Sequence, residues 1–302
     1  MESSRLPRFK RAAVVVPIKL TERDGEIIRL VHRNRFLRSS HIVSLIGGSP
    51  QQLLRRLKLL YHHGFLERPR AQLDYYHQGG SHHMVYGLGN KGASLLKREN
   101  GVTARPLPWS EKNRSVSRLY IEHALLVSDF MVALELGCRK TSGVRLLTGD
   151  GRTCRPHPFK WRVQVNGRLK LGVVPDLVFA LDASNQHGSI NRSFFFLEVD
   201  RGTMPVIRKS LVQSSFYRKL LAYEATWAKG LHRSQFGFHR FRVLTVTTSA
   251  ARVKSLVDAC SQLKSGHGLF LFCDQATLKQ HGDILTMRWI TGRHGETGGI
   301  LD

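Results

Sequence analysis

The first hundred residues show helical spacing of apolar positions, interrupted by glycine pairs. Apolar residues recur three or four positions apart over residues 21–34, which predicts an amphipathic helix with Thr21 as its N-cap. A second, shorter helix is predicted over residues 40–46. The adjacent glycines Gly47 and Gly48 end it, because glycine readily adopts the backbone conformation that terminates a helix.

A third helix has the clearest start signal in the chain. Ser49 is followed by Pro50, an N-cap residue before a proline at the first helical position. The helix runs to Tyr61, and Gly64 ends it. Two strand-like segments and one basic helix follow, over residues 65–68, 84–86 and 90–98.

Three helices followed by a hairpin predict a winged helix-turn-helix, whose third helix enters the major groove of DNA. The pattern places four leucines toward the core: Leu53, Leu54, Leu57 and Leu60. The residues left for DNA on this helix are Gln51, Gln52, Arg55, Arg56 and Lys58. Arg68 and Arg70 are expected on the wing. A helical bundle with a solvated basic face, or a winged helix that contacts protein, is the alternative.

Beyond residue 143 the spacing changes from helical to strand-like. A long amphipathic helix is predicted first, over residues 116–136. The later elements are strands at 144–147, 161–165, 173–181 and 194–199, a helix at 206–227, a strand at 241–247, a helix at 250–263 and a strand at 269–273. The predicted divisions are a basic arm (1–20), a winged helix-turn-helix (21–100), a linker (101–116), an α/β domain (117–291) and a flexible tail (292–302).

The charge of the chain indicates a polyanionic partner. Its 302 residues include 47 Lys and Arg against 22 Asp and Glu, a formal net charge of +25. Double-stranded DNA is the partner that fits best, because cationic side chains release the counterions condensed on its phosphates. An anionic membrane would require a basic amphipathic helix or a polybasic tail, and the sequence has neither. Four scattered cysteines and no long apolar run predict a cytoplasmic protein.

Carboxylates inside apolar strands mark the candidate chemistry of the second half. Asp176 follows Pro175 in an apolar segment, and Glu198 and Asp200 end the next one. A carboxylate inside a strand is costly to bury unless it has a partner. Asp176 and Glu198 are therefore predicted ligands of Mg²⁺ or Mn²⁺, with Asp200 beside them, because carboxylate oxygens suit such ions. Such a site could hydrolyse a phosphodiester.

These residues resemble the motif of the PD-(D/E)xK nuclease superfamily. Asp176 matches its first acid and Glu198 its second, whereas Asp200 stands where the family has lysine. The resemblance implies a restriction-endonuclease-like α/β fold. A lysine from elsewhere would have to assist catalysis: Lys209 at the start of the predicted helix, or else Arg201 or Lys219. Gln213 and Tyr217 fit the Gln-x-x-x-Tyr pattern of some members.

A broader resemblance covers most of the chain. The segments 175–179 and 196–203, followed by Lys209 and Tyr217, resemble the replication-relaxation family. This resemblance implies a winged helix joined to a nuclease-like domain, and a role in replication or mobilisation of plasmids and conjugative elements. The catalytic candidates, if the site is active, are Asp176, Glu198, Asp200 and Lys209. Relaxase chemistry is disfavoured, since the chain has no His-x-His-x-His triplet.

Other signals are weaker. Cys154 and His157 give half of a zinc-site spacing, and no second pair stands nearby, so zinc is not expected. Nucleotide-binding glycine loops are absent, so no nucleotide cofactor is expected. Three functions stay open: a DNA-binding protein of element replication, a metal-dependent DNA endonuclease, and an interaction module that recruits a replication or transfer enzyme such as a relaxase. A homodimer is compatible with the first, and no dimerisation element is evident.

Overall fold

The computed structural model describes residues 7–13, 15–73, 83–99, 108–148, 159–165, 167, 169–184 and 188–302. Helices and sheets are mixed, which confirms the α+β class. The chain divides into two compact units, Met1–Val132 and Ala133–Asp302. Among the described residues, none of the helices combines the length and the apolar character needed to cross a membrane.

The first unit contains helices and three short strands. In chain order these are α1 (Glu22–Asn34), β1 (Phe36–Arg38), α2 (Ser39–Ile46), α3 (Pro50–His62), β2 (Leu66–Glu67), β3 (Val85–Leu88), α4 (Asn90–Glu99) and α5 (Trp109–Arg114). Helix α6 (Arg118–Lys140) follows, and the boundary between the units falls within it.

The predicted helix boundaries of this unit are confirmed by their caps. Thr21 and Asp24 form a capping box at the start of α1, in which each side chain accepts from the other residue's backbone N–H. The Ser49 hydroxyl accepts from Gln52 N at the start of α3. Gly64 follows α3 with φ +84°, a conformation that glycine adopts without strain.

The three strands form one antiparallel sheet in the order β1-β3-β2. Strand β1 was not predicted, because three residues are too few to show alternation. Phe36 lies opposite Gly87, where an added Cβ would stand 2.7 Å from the phenyl ring. Gly87 therefore makes room for Phe36, which is fully buried. Residues 74–82, between the two hairpin strands in the chain, lie outside the described residues.

Two expectations about this unit differ from the structure. Leu54 is 46% exposed instead of facing the core, because it lies at the edge of the apolar face that Leu53 and Leu57 occupy. The segment expected as a linker, 101–116, contains α5. Its buried Asn113 donates to Leu88 O at 2.6 Å, so α5 packs onto the sheet; residues 101–107 lie outside the described residues.

The second unit is built on a seven-stranded sheet in the order β12-β11-β10-β9-β8-β7-β4. Its elements are β4 (Val144–Leu147), β5 (Trp161–Val165), β6 (Leu169–Val173), β7 (Leu177–Ser184), β8 (Ile190–Val199), α7 (Phe216–Ala228), α8 (Leu231–Ser234), β9 (Phe241–Thr247), α9 (Ala250–Cys260), β10 (Phe270–Asp274), α10 (Gln275–His281), β11 (Trp289–Thr291) and β12 (Thr297–Gly298). Strands β8, β9 and β10 are parallel, and the other pairings are antiparallel.

Three segments of this unit depart from the predicted pattern. The strand expected over residues 173–181 is two strands, because Pro175 separates the end of β6 from the start of β7. Helix α7 begins at Phe216, ten residues later than expected, after the N-cap Ser215. The end of the chain pairs as β12 with β11, and Ile300 is 1% exposed.

One face of the sheet carries the aromatic core that the sequence predicts. Strands β5 and β6 form a separate hairpin, and their apolar residues join α7 and α9 over this face. Trp161 packs against Phe196 and Tyr223, and its Nε1 donates to Thr226 Oγ1 at 2.9 Å. Glu198 has the same strand parity as Phe196, so the packing that buries the aromatic residues also places this carboxylate beneath α7.

Candidate functional site

Helix α3 presents a polar surface with basic residues at its centre. Gln51, Gln52 and Arg55 are exposed, and Lys58 is half-buried beside them. Leu53 and Leu57 are buried on the opposite side. We call Gln51, Gln52, Leu54, Arg55 and Lys58 the α3 face.

Arg56 does not belong to the α3 face. Its guanidinium bonds both carboxylate oxygens of Asp24, a fully buried residue of α1, and also donates to Lys19 O at 2.6 Å. Burial alone would raise the pKa of Asp24, but hydrogen bonds from Arg56 and Thr21 outweigh it and lower the pKa. Arg56 therefore joins α3 to α1, and the predicted role in base recognition is not supported by its position.

The two arginines predicted on the wing have different environments. Arg68 is 5% exposed and lies over the rings of Tyr61 and Tyr86, at 4.3 and 5.2 Å from their centres. It also donates to Tyr86 Oη and to Arg8 O. Arg70 is exposed. Only Arg70 is thus placed to reach a phosphate, and Arg68 is part of the packed interior.

The segment before α1 lies against the C-terminal end of α3. Arg11 donates to Tyr61 O and to Glu67, and the backbone N–H of Ala12 donates to His62 Nδ1 at 3.1 Å. Burial, and after it the positive charge of Arg68, lowers the pKa of His62 to about 4. The neutral imidazole can therefore accept the Ala12 hydrogen bond at neutral pH.

In the second unit, Asp176 and Glu198 lie opposite each other on adjacent strands. The register pairs Leu177 with Leu197, and Asp176 is the residue just before this pair. Asp176 N donates to Leu197 O at 3.0 Å, and Val199 N donates to Asp176 Oδ2 at 2.7 Å. The break at Pro175 thus places the Asp176 carboxylate beside the end of β8.

Glu198 is 1% exposed and both of its oxygens have partners on α7. Lys219 Nζ lies 2.5 Å from Oε2, and Tyr223 Oη donates to Oε1 at 2.6 Å. Lys219 and Tyr223 are four residues apart and so share one face of the helix.

The electrostatics of this group follow from its burial. Burial, with a further contribution from Asp176, raises the pKa of Glu198 despite the opposing attraction of Lys219. For Lys219, burial would lower the pKa, but the attraction of Glu198 and Asp176 outweighs it and raises the pKa. Tyr223, fully buried against the same carboxylate, has its pKa raised well above its ordinary value. Lys219 therefore keeps its proton and supplies the positive charge of this group.

Asp200 belongs to a second ion pair. Arg252 Nε donates to its Oδ2 at 2.8 Å, and Thr247 Oγ1 donates to the same oxygen at 2.7 Å. Its Oδ1 accepts from Arg252 Nη2 and from Gly202 N. The carboxylate is thus bonded by its neighbours on both oxygens. We call Asp176, Glu198, Asp200, Lys219, Tyr223, Thr247 and Arg252 the polar cluster.

Three predicted site residues, Lys209, Gln213 and Tyr217, are not part of the polar cluster. Lys209 is exposed in the segment before α7. Gln213 is exposed in the same segment, where its Oε1 is 3.5 Å from Arg208 Nη1. Tyr217 donates to Gln262 O at 3.3 Å and, two residues before Lys219, points to another side of α7.

Most carboxylate oxygens of the cluster, where Mg²⁺ or Mn²⁺ is predicted to bind, have partners within the protein. The oxygens of Glu198 and Asp200 are bonded to cations and hydroxyls, and one oxygen of Asp176 accepts from the backbone. In the described part of the chain, no group of three or more His, Cys, Asp or Glu residues is arranged to hold a metal ion. Cys154 and His157 lie outside the described residues.

Sequence reasoning missed three members of the cluster and ranked a fourth too low. Tyr223, Thr247 and Arg252 carry no motif, and Lys219 was second to Lys209. The available signal was the spacing of Lys219 and Tyr223 on the face of α7 that packs against the sheet. Thr245, level with Glu198 on β9, is fully buried and its hydroxyl has no partner among the described residues.

Comparison with known proteins gives a single match. A sequence profile described as replication-relaxation matches residues 28–240, more than two thirds of the chain. No curated protein and no solved structure matches significantly. The match covers the α3 face, the polar cluster up to Tyr223, and the helices that carry them. The chain belongs to the replication-relaxation family.

Proposed function

We propose that this protein binds double-stranded DNA during the replication or mobilisation of a plasmid or other mobile element. Membership of the family suggests a role in replication or mobilisation. The observation that best supports DNA binding is the composition of the α3 face. Exposed Gln51, Gln52 and Arg55 lie beside Lys58, in a chain of net charge +25.

The proposal treats the first unit as a winged helix-turn-helix. Its support is the order of elements: three helices, then the hairpin strands β2 and β3, with α3 beginning at a capped N-terminus. In this arrangement the third helix enters the major groove. Arg55 can bond guanine through two donors, and Gln51 or Gln52 can bond adenine in the same way.

The first experiment is equilibrium binding of the purified full chain to a labelled DNA duplex, followed by fluorescence anisotropy as salt increases. The proposal predicts that log K falls linearly with log salt concentration, because several phosphates exchange counterions for cationic side chains. A protein that binds no duplex at physiological salt, and instead forms a stable complex with a replication or transfer protein, would be an interaction module.

A nuclease is the second candidate, and Lys219 is the observation that favours it. The PD-(D/E)xK motif needs a lysine beside its second acid, and position 200 carries Asp. Lys219 places an ammonium 2.5 Å from Glu198, with Asp176 on the neighbouring strand. Lys219 on α7 would then take the place of the missing motif lysine.

Supercoiled plasmid tests the second candidate. The protein is incubated with plasmid and Mg²⁺ or Mn²⁺, beside Asp176→Asn, Glu198→Gln and Lys219→Gln. A nuclease would give metal-dependent open-circular or linear DNA, lost in all three variants and kept in Lys254→Gln, a control on the exposed side of α9. Intact plasmid in every lane, with duplex binding unchanged, would mean that the protein binds DNA without cutting it.

A further inference from the structure

The segment between β8 and α7 has an unusual charge composition. From Arg201 to Tyr223 the chain has five Lys and Arg residues and no Asp or Glu. Residues 201–215, which we call the basic loop, begin directly after Asp200 and end at the N-cap of α7. Both ends of the loop therefore meet the polar cluster.

The basic loop has a defined shape that is fixed by the cluster. Arg252 bonds Asp200 and also donates to Met204 O, so one guanidinium joins the end of the sheet to the loop. Farther along, Phe216 N donates to Pro205 O at 3.0 Å and Tyr217 N donates to Val206 O at 2.8 Å. The first turn of α7 thus holds the loop where it folds back.

Arg208 and Lys209 of the loop, and Arg218 in the first turn of α7, are not neutralised by carboxylates among the described residues. Arg208 Nε donates to Ser214 O, and Arg218 Nη1 donates to Val212 O. These bonds shape the loop and leave the positive charges uncompensated. Among the described residues, no carboxylate forms an ion pair with Arg208, Lys209 or Arg218. Lys209 is exposed beside the hydroxyl-bearing Ser210.

We infer that the basic loop is a second DNA-binding site, in which Lys209, Arg208 and the neighbouring hydroxyls bind backbone phosphates. The inference rests on the proposed function and extends it to the second unit. Phosphates suit this surface because they accept from ammonium, guanidinium and hydroxyl groups alike. Val212 is 80% exposed and Ile207 is 43% exposed, which gives apolar contacts for sugars or bases beside the charges. Asp200 and Arg252 are positioning residues for this loop.

A charge substitution gives the first arm of the test. Lys209→Gln is measured by anisotropy with a DNA duplex, both alone and combined with Arg55→Gln and Lys58→Gln. The inference predicts binding weakened about threefold to tenfold and a salt slope reduced by about one in both backgrounds, because one phosphate contact is lost. Lys254→Gln, on the exposed side of α9, is the matched control and should leave the slope unchanged.

Site-specific photo-crosslinking gives a second arm that does not depend on charge. A benzophenone amino acid replaces Val212, or Ile290 as an exposed control on β11. Crosslinks to labelled duplex at position 212 and none at 290 support the inference.

The outcomes separate this inference from the proposed function. If the wild-type chain binds no duplex, the proposed function fails and the basic loop fails with it. If the wild type binds and the α3 variants weaken binding, while Lys209→Gln has no effect and position 212 gives no DNA crosslink, the inference alone is overturned. Crosslinks from position 212 to an acidic protein only would overturn it in the same way.

Discussion

The α3 face and the polar cluster differ in whether their cations are paired with carboxylates. On α3, Arg55 is exposed and Lys58 is half-buried, with the exposed amides of Gln51 and Gln52 on the same helix. In the cluster, Lys219 and Arg252 are drawn against carboxylates that are almost fully buried, Glu198 and Asp200. Unpaired cations can exchange water for phosphate at little cost, whereas a cation that neutralises a buried carboxylate cannot leave it. A basic residue therefore indicates DNA binding only when no carboxylate of the fold holds it.

Adjacent residues illustrate the same difference within one helix. Arg55 and Arg56 have the same side chain and neighbouring positions, yet only Arg56 meets a buried acid. Lys209 and Lys219 repeat the contrast in the second unit, one exposed and the other bonded to Glu198. Substitutions in these pairs test whether a buried carboxylate decides the role of each cation.

The largest effect is expected at Lys219. Lys219→Ala leaves Glu198 buried without its cation, which should lower the free energy of unfolding by about 4 kcal/mol. Urea denaturation measures the loss. Adding Glu198→Gln to this variant should restore much of the stability, because the neutral amide still accepts from Tyr223 Oη. A loss below about 1 kcal/mol would show that the pair is not buried as described.

A pH effect of similar size is expected at the C-terminal end of α3. An unfolded chain takes up a proton at His62 as pH falls through 6.5, whereas the folded chain resists protonation until about pH 4. The unfolded state therefore binds more protons between pH 6.5 and 4. The free energy of unfolding should decrease by on the order of 3 kcal/mol as the pH is lowered through this range.

Comparing the wild type with His62→Gln isolates this contribution from other titrating groups. The His62→Gln variant should show a flatter dependence of stability on pH between 6.5 and 4. Parallel curves for His62→Gln and the wild type would exclude a neutral, buried His62.

Replacing Arg56 should mainly lower stability, whereas replacing Arg55 should mainly weaken DNA binding. Arg56→Ala removes the cation that pairs with buried Asp24 and should cost about 2 kcal/mol of stability, less than Lys219→Ala because Asp24 still accepts hydrogen bonds from Thr21 N and Oγ1. Arg55→Ala should change stability by less than about 0.5 kcal/mol and weaken DNA binding instead. Thermal denaturation and anisotropy on the same samples check both. Equal losses of stability in the two variants would remove the distinction between them.

Much of the fold follows from local signals in the sequence. Caps at Thr21 and Ser49 and the apolar, β-branched composition of β9 act over a few residues, and the structure confirms these elements. The strands β1, β11 and β12 were missed because two or three residues show no period, and they exist only through their pairing partners. Helix α7 was placed too early because the apolar spacing of 206–215 continues into it, although those residues form a loop.

The site was predictable only in part, for a related reason. The sequence placed Asp176 and Glu198 in successive apolar segments as members of one site, and the structure brings them together where β7 begins and β8 ends. Which cation meets which acid depends on long-range packing: Arg252 is 52 residues from Asp200, and Arg56 is 32 residues from Asp24. Helical spacing places Arg56 nearer the buried side of α3, three residues after Leu53 and four before Leu60, but it does not identify Asp24 as its partner.

The most direct test of DNA binding through the α3 face is the salt dependence of duplex binding in the Arg55→Gln, Lys58→Gln double variant. The account predicts that affinity falls and that the slope of log K against log salt decreases by up to about two, because these side chains meet phosphates or bases. Stability should match the wild type, since neither residue holds a buried carboxylate among the described residues. An unchanged slope and affinity in a well-folded double variant would contradict the account.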